Sequence, residues 1–320
     1  MKKLTLALAA IATAFTATAK ADVSVSGTAN VAYISTAGTG TNDQELAVGT
    51  TVDFALSTTT SSGMTISAGS SLSQDYDGAA NIGGDGGNAV TFGVGGATIV
   101  VGDVEISDTI GAVGGVVNGP LDDASDLDTS VATGFSDDDG LGVELTTAVG
   151  SASLNISYVT NDGADNYGVV NSNAAGADAA MSASISMPMG AYTFTIGIAD
   201  SDTGESSSGA EVSAAIGGGT LKLGYSNQTL IAAHTDLTTA GDTQVVGATY
   251  SMALDADTSI AIGYTGRKDA DSESDTKTEL SVERALGGGA SVYLDLVNLT
   301  GDTAANADGT AIAFGTAVAF

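Results

Sequence analysis

The stretch that decides the fold lies at residues 22–33, which read DVSVSGTANVAY. Val23, Val25 and Val31 alternate there with polar residues such as Ser24 and Ser26. Successive side chains of a β-strand point to opposite faces, so a period of two predicts a strand with one apolar and one polar face. The same period returns along the rest of the chain, which predicts an all-β protein.

Sixteen segments show this alternation, and each is identified by its apolar face. The faces lie at residues 23–33, 46–56, 64–72, 90–94, 99–101, 141–145, 154–158, 181–187, 192–198, 212–216, 221–225, 246–250, 260–264, 280–282, 292–296 and 312–320. No segment after the N-terminal leader approaches the ~20 consecutive apolar residues that a membrane-spanning helix needs. Any membrane crossing must therefore be made by strands.

The links between these segments alternate in length. Seven are short, at residues 57–63, 95–96, 150–151, 188–190, 217–219, 253–257 and 287–289. Eight are long and polar, at residues 36–44, 74–88, 103–140, 160–178, 200–209, 227–242, 266–275 and 298–308. Short periplasmic turns and long extracellular loops are typical of bacterial outer-membrane barrels. The pattern predicts a 16-stranded antiparallel transmembrane β-barrel.

Charged residues within the segments test this prediction, because they were not used to define the faces. On the polar face, which the barrel would turn towards its lumen, lie Glu45, Asp53, Glu144, Glu211, Lys222, Lys277, Glu279, Glu283 and Asp295. Only Arg284 lies on the apolar face, and it precedes a short turn where a long side chain can reach the periplasmic rim. A charge facing lipid at mid-depth costs ~2–4 kcal/mol, whereas a charge in a wet lumen costs little.

The N-terminus has the features of an export signal. Lys2 and Lys3 precede an apolar stretch, and Ala19-Lys20-Ala21 forms a small-x-small cleavage site, so we expect residues 1–21 to be removed and residues 22–320 to form the barrel. Cleavage leaves five basic residues against 38 acidic ones. Nucleic-acid binding needs clustered Lys or Arg, so this composition excludes a nucleic-acid partner.

Two stretches resemble the general porins of Gram-negative bacteria. Residues 95–103 resemble that family's fifth strand leading into its third loop, and residues 310–320 form an alternating last strand that ends on Phe320. The resemblance covers the whole mature chain. It implies an outer-membrane channel, usually a trimer, through which small hydrophilic solutes and ions diffuse passively. It also implies that Phe320 is part of the address read by the outer-membrane insertion machinery.

In porins the third long loop folds inward and narrows the pore, and here the third long link, residues 103–140, is also the longest. The resemblance places the constriction on this link, chiefly on Asp103, Glu105 and Asp108. Its further acids include Asp122, Asp123, Asp126 and Asp128. Family members usually face this loop with a cluster of Arg and Lys, whereas only Lys222 and Lys277 are available here on the predicted lumen face. The excess of acids predicts a preference for cations.

Other functions have weaker support in the sequence. Asp137, Asp138 and Asp139 could bind Ca²⁺ through carboxylate oxygens, but no EF-hand spacing surrounds them, and a solvated acidic loop is the favoured interpretation. No other cofactor is expected. The single His234 lies in a long polar link without a second His or a Cys, so neither a metal site nor a catalytic pair can be assigned to it.

Two alternatives to a porin remain open at this stage. A secreted, acidic, β-rich adhesin or surface structural protein, built as a sandwich or a solenoid, would explain the Gly, Thr and acid content. It would not explain the alternation of link lengths or the terminal Phe320. An outer-membrane enzyme would keep the barrel, but the sequence shows no catalytic constellation, and we expect no enzymatic activity.

Overall fold

The computed structural model describes residues 22–38, 44–74, 80–82, 89–106, 110, 113, 115–117, 139–159, 179–201, 204–230, 241–268, 274–301 and 308–320. The strands are β1 (Asp22–Gly38), β2 (Gln44–Thr59), β3 (Thr65–Gln74), β4 (Ala80–Ile82), β5 (Val90–Val94), β6 (Ala97–Glu105), β7 (Asp139–Val149), β8 (Ala152–Val159), β9 (Ala180–Met189), β10 (Tyr192–Ser201), β11 (Ser206–Ile216), β12 (Gly219–Leu230), β13 (Gly241–Ala253), β14 (Thr258–Lys268), β15 (Ser274–Gly287), β16 (Ala290–Gly301) and β17 (Gly309–Ala319). Within these residues no helix is long and apolar enough to cross a membrane.

The strands form one closed antiparallel barrel. Each pairs with its neighbour in the chain, except that β4 and β5 both pair with β3, and β1 also pairs with β17, which closes the sheet. The short β4 pairs with the end of β3 at Leu72–Gln74, whereas β5 pairs with the start of β3 at Thr65–Ala68. Both therefore occupy one position beside β3, and the barrel has sixteen strands. A closed barrel is neither the sandwich nor the solenoid that the adhesin alternative required.

The two faces of the barrel differ as the alternation predicted. On β1, Val23 and Val25 are 66% and 57% exposed, whereas Ala32 and Ile34 on the opposite face are buried. The exposed apolar face is the outer face, and the opposite face is called the inner wall below. The rings of Tyr158, Tyr192 and Phe320 lie at strand ends, as membrane–water interfaces favour. Several aromatic rings are exposed on the outer face. Those rings belong to Tyr33, Tyr158, Tyr192, Tyr225, Tyr264 and Phe320.

The seam of the barrel is closed at the chain end by Phe320. Its amide donates to the Gly27 carbonyl and its carbonyl accepts from the Gly27 amide, both at 3.0 Å. A Cβ on Gly27 would lie 2.6 Å from Cζ of Phe320, so the terminal ring packs directly on a glycine. The last residue therefore joins the first strand of the barrel to the last.

Some strands extend beyond their predicted ends. The predicted link at residues 200–209 is mostly strand, because β10 runs to Ser201 and β11 begins at Ser206. The predicted link at 74–88 contains β4, and the third link lies between Glu105 and Asp139 rather than between Asp103 and Gly140. Apart from Ile82 and Val104, the residues of these extensions are polar or small, so the apolar alternation by which a strand is found is too short there to be recognised.

Candidate pore-lining site

Part of the third link lies against the inner wall of the barrel. The residues concerned are 110, 113 and 115–117, which we call the loop segment. Ile110 contacts Gly197 of β10, the Val113 main chain contacts Gly247 of β13, and Val116 lies over Gly263 of β14. Val117 packs against a buried cluster on the inner wall of β1, β2, β16 and β17. The loop segment therefore runs across the inside of the wall from β10 towards the seam.

Glu279 on β15 holds the loop segment by its main chain. Its Oε2 accepts hydrogen bonds from the amides of Gly115 at 2.9 Å and Val116 at 3.3 Å. Gly115 has φ of +69°, a conformation that glycine adopts without strain. The hydroxyl of Thr265 on β14 donates to the Val113 carbonyl at 3.4 Å. Two wall side chains thus give hydrogen-bond partners to three main-chain groups of the loop segment.

Each described base on the inner wall is paired with an acid. Lys277 Nζ lies 3.2 Å from Glu279 Oε1, and the two side chains are 7% and 0% exposed. Arg267 Nη2 donates to Asp275 Oδ2 at 2.6 Å, and this pair is also buried. Lys222 Nζ lies 3.9 Å from Glu211 Oε1, where both side chains are partly exposed. These pairs neutralise the positive charge of the wall locally.

Arg267 and Asp275 were not found by sequence reasoning, which placed both in the link at residues 266–275. The structure continues β14 to Lys268 and begins β15 at Ser274, so both residues belong to strands. They are directly opposite each other in the register of β14 and β15. The expectation that Lys222 and Lys277 are the only bases on this face was therefore wrong, but the added base comes with its own acid.

The inner wall of β7 and β8 carries a polar network without a base. Thr146 donates to Glu144 Oε1 at 3.1 Å, and the Asn155 side chain donates to the Thr146 hydroxyl at 3.1 Å. Ser157 donates to Asn155 Oδ1 at 3.3 Å. Glu144 is only partly buried, as is Asp53 on β2. This part of the wall offers hydroxyl, amide and carboxylate groups to the lumen.

The remaining predicted site residues fall into three groups. Glu283 on β15 is partly exposed and Asp295 on β16 is buried, both on the inner wall. Asp103 and Glu105 belong to β6, and Asp139 begins β7. Outside the described residues lie Asp108, Asp122, Asp123, Asp126, Asp128, Asp137, Asp138 and His234, and the side chains of Glu45, Asp103, Glu105 and Asp139 are not described either. Constriction and Ca²⁺ binding by these acids stay predictions.

Arg284, the exception to the charge rule, lies on the outer face beside the short turn between β13 and β14. Its Nη1 donates to the Thr258 hydroxyl at 2.8 Å and lies 3.5 Å from Asp255 Oδ2. Both side chains of the ion pair are about half exposed. The guanidinium therefore reaches the turn instead of staying among the apolar side chains of the outer face.

The protein is a closed antiparallel barrel with an apolar outer face, and a segment of its third link lies on the inner wall. This architecture is that of an outer-membrane β-barrel protein. The family profile of Gram-negative porins matches residues 5–304, nearly the whole chain. The chain belongs to the Gram-negative porin family. Membership in this family and the barrel fold imply an outer-membrane location. No curated protein sequence matches the chain.

Solved porin structures share this fold at low sequence identity. The anion-selective porin of Comamonas acidovorans is 13% identical, with 94% of this chain and 100% of that chain covered at a TM-score of 0.66. The trimer form of OmpT from Vibrio cholerae is 12% identical, with 94% and 99% covered at 0.66. OmpF of Salmonella typhi in complex with daunomycin is 12% identical, with 93% and 97% covered at 0.66. At such identities these structures support the fold alone.

Proposed function

We propose that the barrel is a water-filled channel for passive diffusion of ions and small hydrophilic solutes, and that it prefers cations. The observation that carries the preference is the charge of the inner wall. Lys222, Arg267 and Lys277 each stand beside an acid. No described basic side chain forms an ion pair with Asp53, Glu144 or Glu283. The wall therefore keeps an excess of negative charge.

A narrow wet passage with low-dielectric walls focuses such a field on its axis. Counter-ions are enriched there and co-ions are excluded, so an acidic wall favours cations. The Debye length is ~8–10 Å at physiological ionic strength, so the preference shrinks as salt rises. The proposal counts acids of the third link such as Asp108 towards this field, but not Asp103, because the register pairs Asp103 with Leu141 of the outer face. The proposal includes no catalytic step.

The proposal includes export, assembly and oligomeric state. Residues 1–21 are a signal peptide that is cleaved before Asp22, where β1 begins. Phe320 serves as the assembly signal of the last strand. The native unit is a homotrimer, which the trimeric form of the Vibrio cholerae relative supports.

Detergent gels and planar bilayers test the channel itself. Outer-membrane fractions run with and without boiling should show a heat-modifiable band, and the folded protein should give stepwise conductance in a bilayer. N-terminal sequencing of the mature protein should give Asp22 as the first residue. A soluble protein without heat-modifiable mobility, or a folded barrel without conductance, would exclude a diffusion channel.

Removal of Phe320 tests the assembly role separately. Synthesis and export should continue, while folded barrel in the outer membrane falls sharply. A Phe320→Tyr variant is the matched control, because it keeps an aromatic ring over Gly27 and should assemble. Normal assembly of the truncated chain would exclude Phe320 as the assembly signal.

A further inference from the structure

We infer that a row of inner-wall glycines sets the position of the loop segment, and through it the width of the pore. Five consecutive strands carry a glycine on the inner wall. They are Gly197 of β10, Gly209 of β11, Gly224 of β12, Gly247 of β13 and Gly263 of β14. Gly197 stands opposite Gly209 in register, and Gly224 stands opposite Gly247. The inference that this glycine row sets the pore width rests on the proposed channel function.

The backbone of the strands does not require these glycines. None of the five has a positive φ, in contrast with the turn glycines such as Gly150 and Gly190 at +66° and +67°. Glycine inside a strand weakens it, and it marks places where another backbone approaches closely. A requirement for space is the remaining physical reason, and the loop segment occupies that space at three of the five positions.

The three contacts differ in how much room they leave. At Gly247 an added Cβ would overlap the Val113 carbonyl oxygen and lie 2.6 Å from its carbonyl carbon. At Gly263 it would lie 2.8 Å from Glu279 Oε2 and 3.2 Å from Val116 Cγ2. At Gly197 the obstacle is the end of the Ile110 side chain. Side-chain ends can rotate away, whereas the main chain of Val113 must move as a whole, so Gly247 is the strictest position.

The register places an anchor directly beside Gly247 and Gly263. Gly247 is paired with Thr265, whose hydroxyl binds the Val113 carbonyl. Gly263 is paired with Glu279, whose carboxylate binds the amides of Gly115 and Val116. Close approach and hydrogen bonding therefore occur on adjacent strands at the same level. The glycines let the loop segment come near enough for the anchors to reach its main chain.

Gly247→Ala tests the inference in the full-length channel. An ordinary contact needs ~3.5 Å, so relief of the overlap with the Val113 carbonyl oxygen must move the loop segment by roughly 1.5–2 Å off the wall and into the lumen. We expect single-channel conductance to fall by roughly twofold, because passage depends on pore diameter, and the largest sugar admitted to proteoliposomes to become smaller. Gly69→Ala is the matched control. This inner-wall glycine of β3 has only Phe54 O, at 3.6 Å, near an added Cβ.

A thiol probe reports the same movement without relying on conductance. The chain has no Cys, so Val113→Cys supplies a single thiol at a buried position. Its modification by a water-soluble methanethiosulfonate reagent should be faster with Gly247→Ala than with Gly69→Ala. Equal rates together with equal conductance in the two backgrounds would overturn the inference. If the unmodified protein does not conduct, the proposed function fails, but the thiol rates still test the glycine row.

Gly263→Ala covers the case in which Gly247→Ala does not fold, as judged by heat-modifiable mobility. The added methyl meets only side-chain ends, so the barrel should assemble. It displaces the Glu279 carboxylate from the loop amides, and the Val113→Cys thiol should again react faster than in the Gly69→Ala background. A Gly263→Ala channel that matches the control in thiol rate and conductance would overturn the inference.

Discussion

Glu279 and Glu144 are the same residue type on the same face of the barrel, yet their surroundings differ. Glu279 on β15 is buried, paired with Lys277 and bonded to two loop amides. Glu144 on β7 is partly exposed and accepts from a threonine hydroxyl. The comparison separates two uses of an acidic wall residue. Glu279 holds the loop segment, whereas Glu144 leaves its charge open to the lumen.

The largest effect should follow removal of the buried carboxylate. Glu279→Ala leaves the Lys277 ammonium without its ion-pair partner and two loop amides without their acceptor, and breaking a buried pair in this way costs about 3–5 kcal/mol. The free energy of unfolding in urea, measured in lipid vesicles, should fall by about that amount. Glu144→Ala is the control on the exposed side and should change it by less than ~1 kcal/mol.

A combined substitution sharpens that result. Replacing a buried ion pair by apolar residues of similar size is often neutral, whereas removing one partner is not. Lys277→Met with Glu279→Leu should therefore recover part of the lost stability but not the position of the loop segment, since no acceptor for the Gly115 amide returns. Stability recovered together with normal conductance would mean that Glu279 does not hold the loop segment.

The exposed acid should act on selectivity instead. One charge 4 Å from a permeating ion contributes about 1 kcal/mol in water, favourable for a cation and unfavourable for an anion, which corresponds to a roughly fivefold change in the local concentration of each. Glu144→Gln and Asp53→Asn should each lower the cation-to-anion permeability ratio in low salt while leaving unfolding almost unchanged. If Glu279→Gln lowers the cation-to-anion permeability ratio as much as Glu144→Gln does, then Glu279 and Glu144 do not have the separate roles proposed for them.

The smallest effect is expected at Asp255, far from the inner wall. The backbone amide of Asp257 donates to this carboxylate at 2.8 Å, and with the Thr258 hydroxyl and the nearby Arg284 it lowers the pKa of Asp255 below its ordinary value. A lowered folded-state pKa stabilises the fold above the unfolded-state pKa, and this contribution is lost as pH falls through the folded value. Asp255→Asn should slightly reduce the pH dependence of unfolding between pH 5 and pH 3, roughly the range where carboxylates protonate. An unchanged pH profile of the unfolding free energy in Asp255→Asn would contradict a stabilising role for the Asp255 carboxylate.

The barrel could be predicted from sequence because lipid and water impose alternation on every spanning strand. Beyond the membrane that constraint is absent, so the predicted links at residues 200–209 and 266–275 were wrong in placing Ser206, Arg267 and Asp275 outside the strands. The ion pair between Arg267 and Asp275 could therefore not be predicted either. The rule that charges avoid the outer face located Glu279 and Glu144 equally well.

The different roles of these two acids could not be predicted from sequence. Glu279 differs from Glu144 through contact with residues 115 and 116, which are more than 160 positions away in the chain. Alternation reports only which face a residue occupies, not what crosses the lumen in front of it. The inner-wall glycines were missed for the same reason, since a glycine in a strand carries no periodic signal of its own.

We propose that the open acids of the inner wall make the channel prefer cations, and the reversal potential measures this preference. The purified protein is placed in a planar bilayer with a KCl gradient, at low salt on both sides. The sign of the reversal potential should be that of K⁺ preference, and its size should decrease as total salt rises because the wall charges become screened. A reversal potential with the sign of Cl⁻ preference at low salt would contradict the claim.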